Sequence, residues 1–406
     1  MEGISSAPST TVHLVDLSLF YATEGGGVHT YLTAKSAWLR RHTAIRHTIV
    51  AAEYPEGGAL NAGTNNAVTV NALTARTDDQ AKLVTVPAWP IHHPNGYRLP
   101  RSIRSTVRTL EQLQPDLIEV GDPYSFAWAA RRAQKVLHCP LVAFHHSDLH
   151  QIVSRRWGAL AARAARAYLR SLYRGFDLVL APSRYIAHQL RSMGIQQTCY
   201  QPLGVDCSIF TPQSRHPDLR LRLGLPHSAR LLVYAGRLAA EKRLPLLLEA
   251  IERLGNPYHL LLVGGRPSTP SAQVHSLPYV RCQHSLAGLL ASCDALVHPG
   301  DQETFGLVVL EAMACGLPVV GVAAGGVQEL VDARTGLLVR PASADALAEG
   351  IAALYTLDRA QLARQAREKV LRQYDWHIIF PQLLERYMRL LTGEQTQGAA
   401  LSLATE

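Results

Sequence analysis

The stretch HPGDQETFGLVVLEAMACGLPVVGVAAGG, residues 298–326, decides the fold of this chain. From Gly306 onward its only charged residue is Glu311, and roughly 20 apolar residues are enough to cross a bilayer. A spanning helix would nevertheless be interrupted by Gly316 and Pro318, and Glu311 would lie in hydrocarbon without a partner. We therefore reject a membrane span.

A helix followed by a strand explains the same stretch better. We predict a buried helix over Leu307–Ala314, with Gly316 just after its end and Pro318 beyond it. The letters PVVGVA then predict a buried strand. Continuous apolar strands of this kind are typical of parallel sheets that are covered on both faces. The chain is therefore predicted to be an α/β protein.

The length of 406 residues is too great for one hydrophobic core and predicts two domains. The six cysteines are scattered without C-x-x-C spacing, which indicates neither a zinc site nor a disulfide framework and fits a reducing cytoplasm. The N-terminus lacks a basic segment followed by an apolar one, so no secretory signal is predicted.

Positive charge is concentrated in the first half of the chain. Residues 1–200 contain 21 Lys and Arg against 13 Asp and Glu, a balance of +8, whereas residues 201–406 contain 19 of each. The first half is therefore expected to meet an anionic surface or substrate. A nucleic-acid binder is disfavoured, because the excess is modest and no aromatic residues interleave with basic ones as in a stacking platform.

Apolar runs typical of strands alternate with helical stretches along the chain. The runs are TVHLVDLS, HTIVAAE, AKLVTVP, DLIEVG, PLVAFHH, FDLVLAPS, RLLVYAGR, HLLLVGG, DALVHPG and PVVGVAA. This alternation predicts two doubly wound sheets, in domains over residues 1–200 and 201–375. The second begins with a polar linker over about 201–215, and residues 393–406 are expected to form a mobile tail.

Two segments that directly follow predicted strands carry glycine or positive charge. In EGGGVHTYL, residues 24–32, three glycines let backbone amides approach a phosphate or sugar closely. A tight structural turn explains these glycines equally well. In YAGRLAAEK, residues 234–242, Arg237 and Lys242 lie just beyond a strand's carboxyl end. Together they could neutralise a diphosphate, although each alone is a common kind of surface cation.

Glu303 and Glu311 are two acidic residues of the opening stretch. On one continuous helix they would be separated by about 12 Å along the axis, too far for the close carboxylate pair of a retaining glycosidase. If Glu303 lies in the loop before the helix, its carboxylate can reach a ligand at the helix N-terminus. There the amides of Phe305, Gly306 and Leu307 would meet a phosphate. The plain alternative is that both are surface carboxylates.

Four elements resemble glycosyltransferase family 4, whose members are retaining enzymes. ETFGLVVLE resembles the E-x7-E element of that family, and EGGG, HHSD and GRLAAEK precede it in the family's order. The resemblance extends over about residues 11–390. It implies the GT-B fold, in which two Rossmann-like domains face each other across a cleft. It also implies that the last helices, here about 376–392, return to the first domain.

The resemblance further implies a role for each matching residue. Glu303 would bind hydroxyls of the donor sugar, and Glu311 would bind the ribose. Arg237 and Lys242 would hold the diphosphate and stabilise the leaving nucleotide. Backbone amides would assist them at Phe305, Gly306 and Leu307, and at Gly26 and Gly27 of the facing domain. No D-x-D-like cluster is evident, so no metal or cofactor is expected beside a UDP- or GDP-linked sugar donor.

The HHSD element matches the family's histidine near the donor sugar or acceptor. HSD aligns with His146 and Asp148, so His146 is predicted to be catalytic together with Glu303, Arg237 and Lys242. The doubled histidine leaves His145 as an alternative, because neighbouring strand residues face opposite sides. The same divergence argues against a metal site built from these histidines and His150.

The segment SRRWGALAARAARAYLRSLYRG, residues 154–175, has its arginines on one side of a helical wheel. The stripe consists of Arg156, Arg163, Arg166, Arg170 and Arg174, and the opposite side holds Trp157, Ala161, Ala164, Tyr168 and Leu172. A helix packed on the sheet with its arginines in water explains this pattern as well as a function does. The functional alternative is a basic face against anionic lipid, which would suit a lipid-linked acceptor.

The sequence thus predicts an enzyme that transfers a hexose from a nucleoside-diphosphate sugar to a hydroxyl acceptor, lipid-linked or part of a cell-envelope glycan, with retention of configuration. We expect a cytoplasmic protein at the inner face of the membrane. The alternatives are another GT-B activity, such as a sugar-phosphate synthase or a nucleotide-sugar hydrolase or epimerase, and a polyanion-binding protein without enzymatic activity. The sequence identifies neither the sugar, the base nor the acceptor, and gives no oligomeric state.

Overall fold

The computed structural model describes residues 11–21, 26–53, 82–90, 98–267, 271–340 and 342–394. The chain divides into two compact units. Among the described residues, the first comprises those within 11–180, 191–199 and 383–394, and the second comprises those within 181–190 and 200–382. The predicted boundary at residue 200 lies close to this division. Most of the predicted tail, residues 395–406, lies outside the described residues.

Two segments are grouped differently from the prediction. Residues 181–190 belong to the second unit, where Glu329 accepts hydrogen bonds from the backbone amides of Arg184 and Tyr185. The return to the first unit begins at Leu383 rather than at about 376. The Trp376 ring stays with the second unit, because it packs so closely on Gly204 that a Cβ there would lie 2.6 Å from it.

The first unit contains a seven-stranded sheet and a small hairpin. Its strands are β1 (His13–Ser18), β2 (Arg46–Ala52), β3 (Lys82–Val86), β4 (Ala88–Pro90), β5 (Arg98–Pro100), β6 (Leu117–Val120), β7 (Leu141–Phe144), β8 (Leu178–Ala181) and β9 (Thr198–Tyr200). The sheet order is β3-β2-β1-β6-β7-β8-β9, and β4 and β5 form the hairpin. The helices along this part of the chain are α1 (Gly27–His42), α2 (Ile103–Leu113), α3 (Ser125–Leu137), α4 (Leu149–Tyr173) and α5 (Arg184–Ser192).

The second unit contains a six-stranded parallel sheet. Its strands are β10 (Arg230–Ala235), β11 (Tyr258–Val263), β12 (Val274–Leu277), β13 (Ala295–His298), β14 (Val319–Val322) and β15 (Gly336–Val339), in the order β12-β11-β10-β13-β14-β15. The helices along this part of the chain are α6 (Leu219–Arg222), α7 (Leu244–Leu254), α8 (Gln283–Ala291), α9 (Leu307–Ala314), α10 (Val327–Leu330), α11 (Ala344–Leu354), α12 (Arg359–Gln373) and α13 (Trp376–Leu391). Helix α13 belongs to the first unit from Leu383 onward.

Residues 298–326 contain the helix and the strand that were predicted for them. Helix α9 covers Leu307–Ala314, Gly316 follows it with a left-handed φ of 76°, and β14 begins at Val319. The buried apolar side chains of α9 and β14 explain why so few charges occur here. Among the described residues, no helix combines the length and the apolar character that a bilayer crossing requires.

Both sheets have one point at which the strand order reverses. In the first sheet this point lies between β1 and β6, and in the second between β10 and β13. The loops that follow the two strands at such a point diverge and leave a crevice at the strands' carboxyl ends, where open α/β sheets bind ligands. A ligand site is therefore expected among the residues that follow these four strands.

Helix α4 differs from the prediction, which assumed one continuous helix. Gly158 has φ 79° and ψ −171°, so two helical segments meet there at a break. Arg156 therefore does not continue the stripe of the later arginines. Trp157, predicted on the packed side, is 67% exposed. The side chains of α4 that are buried belong to Ala162, Ala165, Leu169, Leu172 and Tyr173.

Candidate active site

The loops after β10 and β13 bring together predicted residues of the second unit. The two strands are direct neighbours, with Leu232 opposite Ala295 and Val233 opposite Leu296. The loop after β10 contains Arg237 and Lys242, and the loop after β13 contains Glu303. Residues far apart in sequence thus meet at the point where the strand order reverses.

An ion pair between Lys242 and Glu303 joins these two loops. Both side chains are 18% exposed, and His298 Nε2 lies 3.3 Å from the same carboxylate. Burial opposes ionisation of Glu303, but Lys242 and His298 outweigh burial and hold its pKa well below the usual range. Because an ammonium has three N–H donors, Lys242 can keep this pair and still donate to a phosphate.

Close backbone contacts fix the position of Glu303. The amide of Gly326 donates to the carbonyl oxygen of Glu303 at 2.7 Å. A Cβ on Gly325 would lie 2.4 Å from that oxygen, and a Cβ on Gly326 would lie 2.6 Å from the carbonyl oxygen of Thr304. Side chains at these two glycines would displace the loop, so the Gly-Gly pair after β14 supports the site.

A second ion pair between the loops was not predicted from the sequence. Arg243 Nη2 lies 2.7 Å from Asp301 Oδ2. Arg243 has a left-handed φ of 52° at the start of α7, a conformation that costs free energy for a residue other than glycine. The pair with Asp301 lies beside the Lys242–Glu303 pair in sequence on both loops, and so helps hold the two loops together.

Arg237 is held through its backbone rather than through its guanidinium. The Tyr234 hydroxyl donates to the carbonyl oxygen of Arg237 at 2.9 Å. The guanidinium is 48% exposed and lies 3.9 Å from Glu241, a surface contact of small energetic value. The side chain of Arg237 is therefore able to reorient toward an anion.

The N-terminus of α9 follows directly after Glu303. Gly306 precedes the helix with φ 103°, and Phe305 is buried. The first amides of a helix have no acceptor within it and lie at the positive end of the helix dipole. The predicted amides, including those of Gly306 and Leu307, therefore form a region suited to an anion.

Glu311 lies on α9 one turn after Leu307, hence on the same side of the helix. Its side chain is partly buried, and desolvation raises its pKa to about 7. The carboxyl group therefore changes its charge near neutral pH, unlike Glu303. The two glutamates of the E-x7-E element thus lie in different electrostatic environments.

The structure distinguishes the two histidines that follow β7. His145 is buried, with Nδ1 2.8 Å from the Tyr173 hydroxyl, and burial lowers its pKa to about 4. His146 is partly exposed and stacks on Phe144 with ring centroids 4.4 Å apart. Desolvation, followed by the neighbouring charges, lowers the pKa of His146 to about 3. His146 is the more accessible of the two, and its contact with a substrate stays a prediction.

The predicted glycines of the first unit precede α1. Gly26 has φ 123°, which favours glycine, and its carbonyl accepts from the Thr30 amide at 3.0 Å. Gly27 is the exposed first residue of α1, whereas Glu24 and Gly25 of the same motif lie outside the described residues. The expected contacts of these two glycines with a diphosphate stay predictions.

Asp122 is a first-unit residue that the sequence did not single out. It follows β6 and accepts hydrogen bonds from the amides of Leu19 at 2.8 Å and Tyr124 at 3.2 Å. It thereby connects the segment after β1 to the segment after β6. Burial raises its pKa to about 7.

No cluster of His, Cys, Asp and Glu side chains suited to a metal ion occurs within the part of the chain that the structure describes. Asp148 caps α4 by accepting from the Gln151 amide at 3.0 Å. His150, the third histidine of the motif, lies 2.9 Å from Arg166 Nε. The three histidines of FHHSDLH thus have separate surroundings.

Comparison with known proteins agrees with this fold. Residues 25–209 match the family described as Glycosyltransferase Family 4, and residues 229–357 match the family described as Glycosyl transferases group 1. A sucrose-phosphate synthase from Thermosynechococcus elongatus superposes with a TM-score of 0.74 at 21% identity, over 94% of this chain and 100% of that one. The two parallel α/β units therefore define a protein of the GT-B fold class, as predicted.

Sequence relatives identify the family. A GDP-mannose-dependent alpha-mannosyltransferase from Mycobacterium tuberculosis is 29% identical over 88% of this chain and 92% of its own length. A GDP-mannose-dependent alpha-(1-6)-phosphatidylinositol dimannoside mannosyltransferase from the same species is 32% identical over 70% of this chain and 77% of its own length. The chain belongs to glycosyltransferase family 4 and is a glycosyltransferase.

Proposed function

We propose that this protein transfers a mannosyl group from GDP-mannose to a hydroxyl acceptor with retention of anomeric configuration. The observation that carries the proposal is the ion pair between Lys242, on the loop after β10, and Glu303, on the loop that leads into α9, at the switch point of the second sheet. The activities for which the two mycobacterial relatives are named support mannose as the sugar and guanosine as the nucleoside. In the reaction the bond from C1 to the diphosphate breaks, a bond from C1 to the acceptor oxygen forms, and the hydroxyl proton is released.

Negative charge increases on the diphosphate as it leaves, and stabilising that charge is the main requirement of this step. We assign this role to Arg237, Lys242 and the amides at the start of α9, including Phe305, Gly306 and Leu307. Glu303, which is ionised because Lys242 and His298 face it, accepts hydrogen bonds from the sugar hydroxyls. Glu311 accepts hydrogen bonds from the ribose.

The proposed acceptor is a lipid-linked saccharide at the inner face of the membrane. One relative is named for transfer to a phosphatidylinositol dimannoside, and the net positive charge of this chain lies in residues 1–200. Both facts favour an acceptor with an anionic or membrane-bound part. A soluble hydroxyl acceptor is the alternative that the experiment must distinguish.

The first test measures donor binding and transfer with the full chain. Thermal shifts with GDP, UDP and ADP and with their sugars identify the donor, and GDP-mannose should give the largest stabilisation. Transfer to a lipid-linked saccharide is then followed by NMR of the new glycosidic bond, which should keep the anomeric configuration of the donor. Inversion, or binding of no nucleotide sugar, would contradict the proposal.

The variant test uses Glu303→Ala with Glu349→Ala as its control. Glu349 is an exposed glutamate of α11 in the same unit. Glu303→Ala should remove transfer while GDP still binds, because its carboxylate is assigned to the sugar. Glu349→Ala should behave like the wild type. Full transfer activity in Glu303→Ala would exclude Glu303 from the site.

A further inference from the structure

Large apolar side chains are exposed on both sides of the break in helix α4. Ile152 is 51% exposed, Trp157 is 67% exposed and Leu160 is 81% exposed. They flank Gly158, where the φ of 79° favours glycine although a Cβ would meet nothing within 4 Å. We call Ile152, Arg155, Arg156, Trp157 and Leu160 the α4 elbow.

Positive charge surrounds these apolar side chains. Arg155 and Arg156 precede the break, and Arg163, Arg166 and Arg170 follow it, all of them exposed. Helix α4 contains no Asp or Glu along its 25 residues. After the break, Leu160 lies about 60° from Arg163 on the helix, so an exposed leucine borders the arginine stripe.

This combination matches the chemistry of an anionic membrane surface. Tryptophan is enriched at the boundary between lipid headgroups and acyl chains, and helices that lie at this boundary combine an apolar insertion with basic flanks. A protein surface usually carries some Lys or Arg side chains. A helix without Asp or Glu cannot form ion pairs with them. The charge pattern therefore favours anionic lipid over a protein surface.

We propose that the α4 elbow docks this protein on an anionic lipid surface, with Trp157 and Leu160 inserted and the neighbouring arginines on the headgroups. The inference rests on the proposed lipid-linked acceptor and identifies the surface that would bring the enzyme to it. It also revises the role of the helix. The insertion is made by large side chains at the break, rather than by an alanine-rich face.

Vesicle binding of the full chain tests this docking. Vesicles of phosphatidylcholine with phosphatidylglycerol should bind the protein, vesicles of phosphatidylcholine alone should bind it much less, and added salt should release it. Arg155→Gln, Arg156→Gln and Arg163→Gln together should lower partitioning by at least about tenfold, since each near-surface cation is worth about fivefold. The matched control is Arg215→Gln, Arg222→Gln and Arg364→Gln, three exposed arginines of the second unit.

The apolar part has its own matched pair. Leu160→Ser should weaken binding, whereas Leu221→Ser, which removes a leucine that is 76% exposed on α6, should not. Lipids with brominated acyl chains should quench tryptophan fluorescence in the wild type. Trp157→Phe should keep most of the binding and lose that quenching, because the other four of the five tryptophans lie elsewhere in the chain.

The outcomes separate this inference from the proposed function. Equal losses in the α4 and control arginine variants, equal binding to both vesicle types, or unchanged quenching in Trp157→Phe would overturn the docking. So would binding of a DNA oligonucleotide through the same arginines in place of vesicles. GDP-mannose stabilisation, measured on the same variants without lipid, reports on the donor site alone. Its loss in the wild type would refute the proposed function instead.

Discussion

The two units each contain a lysine that pairs with carboxylates, and the two lysines have opposite surroundings. In the first unit, Lys35 donates to Asp16 at 2.9 Å, to Glu119 at 3.1 Å and to the Tyr387 hydroxyl at 2.9 Å. Its side chain is 1% exposed. In the second unit, Lys242 pairs with Glu303, and both remain 18% exposed. The first lysine uses all three of its donors, whereas the second has donors left for a ligand.

The position of each pair in the fold explains this difference. Asp16 and Glu119 lie within β1 and β6, and their side chains point into a closed part of the unit. Lys242 and Glu303 lie on loops beyond the strands' carboxyl ends, where the chain meets solvent. A lysine–carboxylate pair is thus structural when it lies inside the sheet, and it is available for binding when it lies beyond the carboxyl ends of the strands. A buried pair of this kind is also costly to break, because the remaining charge has no water around it.

The electrostatics of the two carboxylate pairs agree with these roles. Burial opposes ionisation of Asp16, yet Lys35 and His47 hold its pKa below the usual value. At Glu119 desolvation and the charge of Asp16 exceed the effect of Lys35, so its pKa is raised. In the second unit, Lys242 and His298 lower the pKa of Glu303, whereas burial alone raises the pKa of Glu311.

The largest expected effect is on stability and concerns Lys35→Met. Removing this ammonium leaves two buried carboxylates without their shared cation and should cost about 3–5 kcal/mol of unfolding free energy. Lys242→Met should cost less than Lys35→Met, because both side chains of its pair are 18% exposed and His298 still faces Glu303. Urea denaturation followed by circular dichroism would measure both. Equal losses would mean that the two lysines contribute equally to the free energy of unfolding, contrary to their different burial.

The next effect is on catalysis and concerns residues of the second unit. Lys242→Ala and Arg237→Ala should each cost on the order of 2 kcal/mol in transition-state stabilisation, by analogy with the loss of one oxyanion donor. The measurement is kcat/KM for transfer from GDP-mannose. Arg253→Ala is the control, because this arginine pairs with Glu249 and Asp345 away from the strand ends. Values near the wild type in both variants would place the diphosphate elsewhere.

Much of the fold could be predicted because central strands are buried on both faces. All ten apolar runs are strands, including β10 and β14, whose side chains are buried almost throughout. The missed strands of the second unit are β12 and β15, the two edges of its sheet. The side chains of β12 are all partly exposed. His275 and Ser276 interrupt β12, so this strand lacks the continuous apolar run on which the prediction relied, whereas the short apolar run GLLV of β15 was overlooked.

The sequence singled out residues that the structure brings together, but it did not predict how they pair. Arg237 and Lys242 were singled out because they follow a strand, and Glu303 because it precedes a helix and begins the E-x7-E element. Their contact depends on β10 pairing with β13. Local sequence patterns do not predict which strands distant in sequence become neighbours. The break at Gly158 was missed for another reason. A glycine inside a helix costs only about 1 kcal/mol, so its presence does not reveal whether the helix continues.

The third prediction uses the difference between the two glutamates of the second unit. The pKa of Glu311 is raised from an ordinary 4.5 to about 7, so its ionisation lowers the stability of the unliganded protein as pH rises through that range. If the ionised form binds the ribose, GDP affinity should fall by up to about tenfold per pH unit below 7. Glu311→Gln should bind more weakly and show no such dependence. Calorimetric titration at several pH values measures this, and parallel profiles in both proteins would exclude Glu311 from nucleotide binding.

The smallest expected effect is none at all, and it concerns metal. Transfer should survive treatment with EDTA, because Arg237, Lys242 and the N-terminus of α9 already supply positive charge to the diphosphate. The measurement is the initial rate before and after chelation, followed by addition of Mg²⁺ or Mn²⁺. If chelation abolishes transfer and a divalent ion restores it, the two cations are insufficient. Lys242 would then resemble Lys35 more closely, as a residue whose main partner is a carboxylate of the protein rather than the substrate.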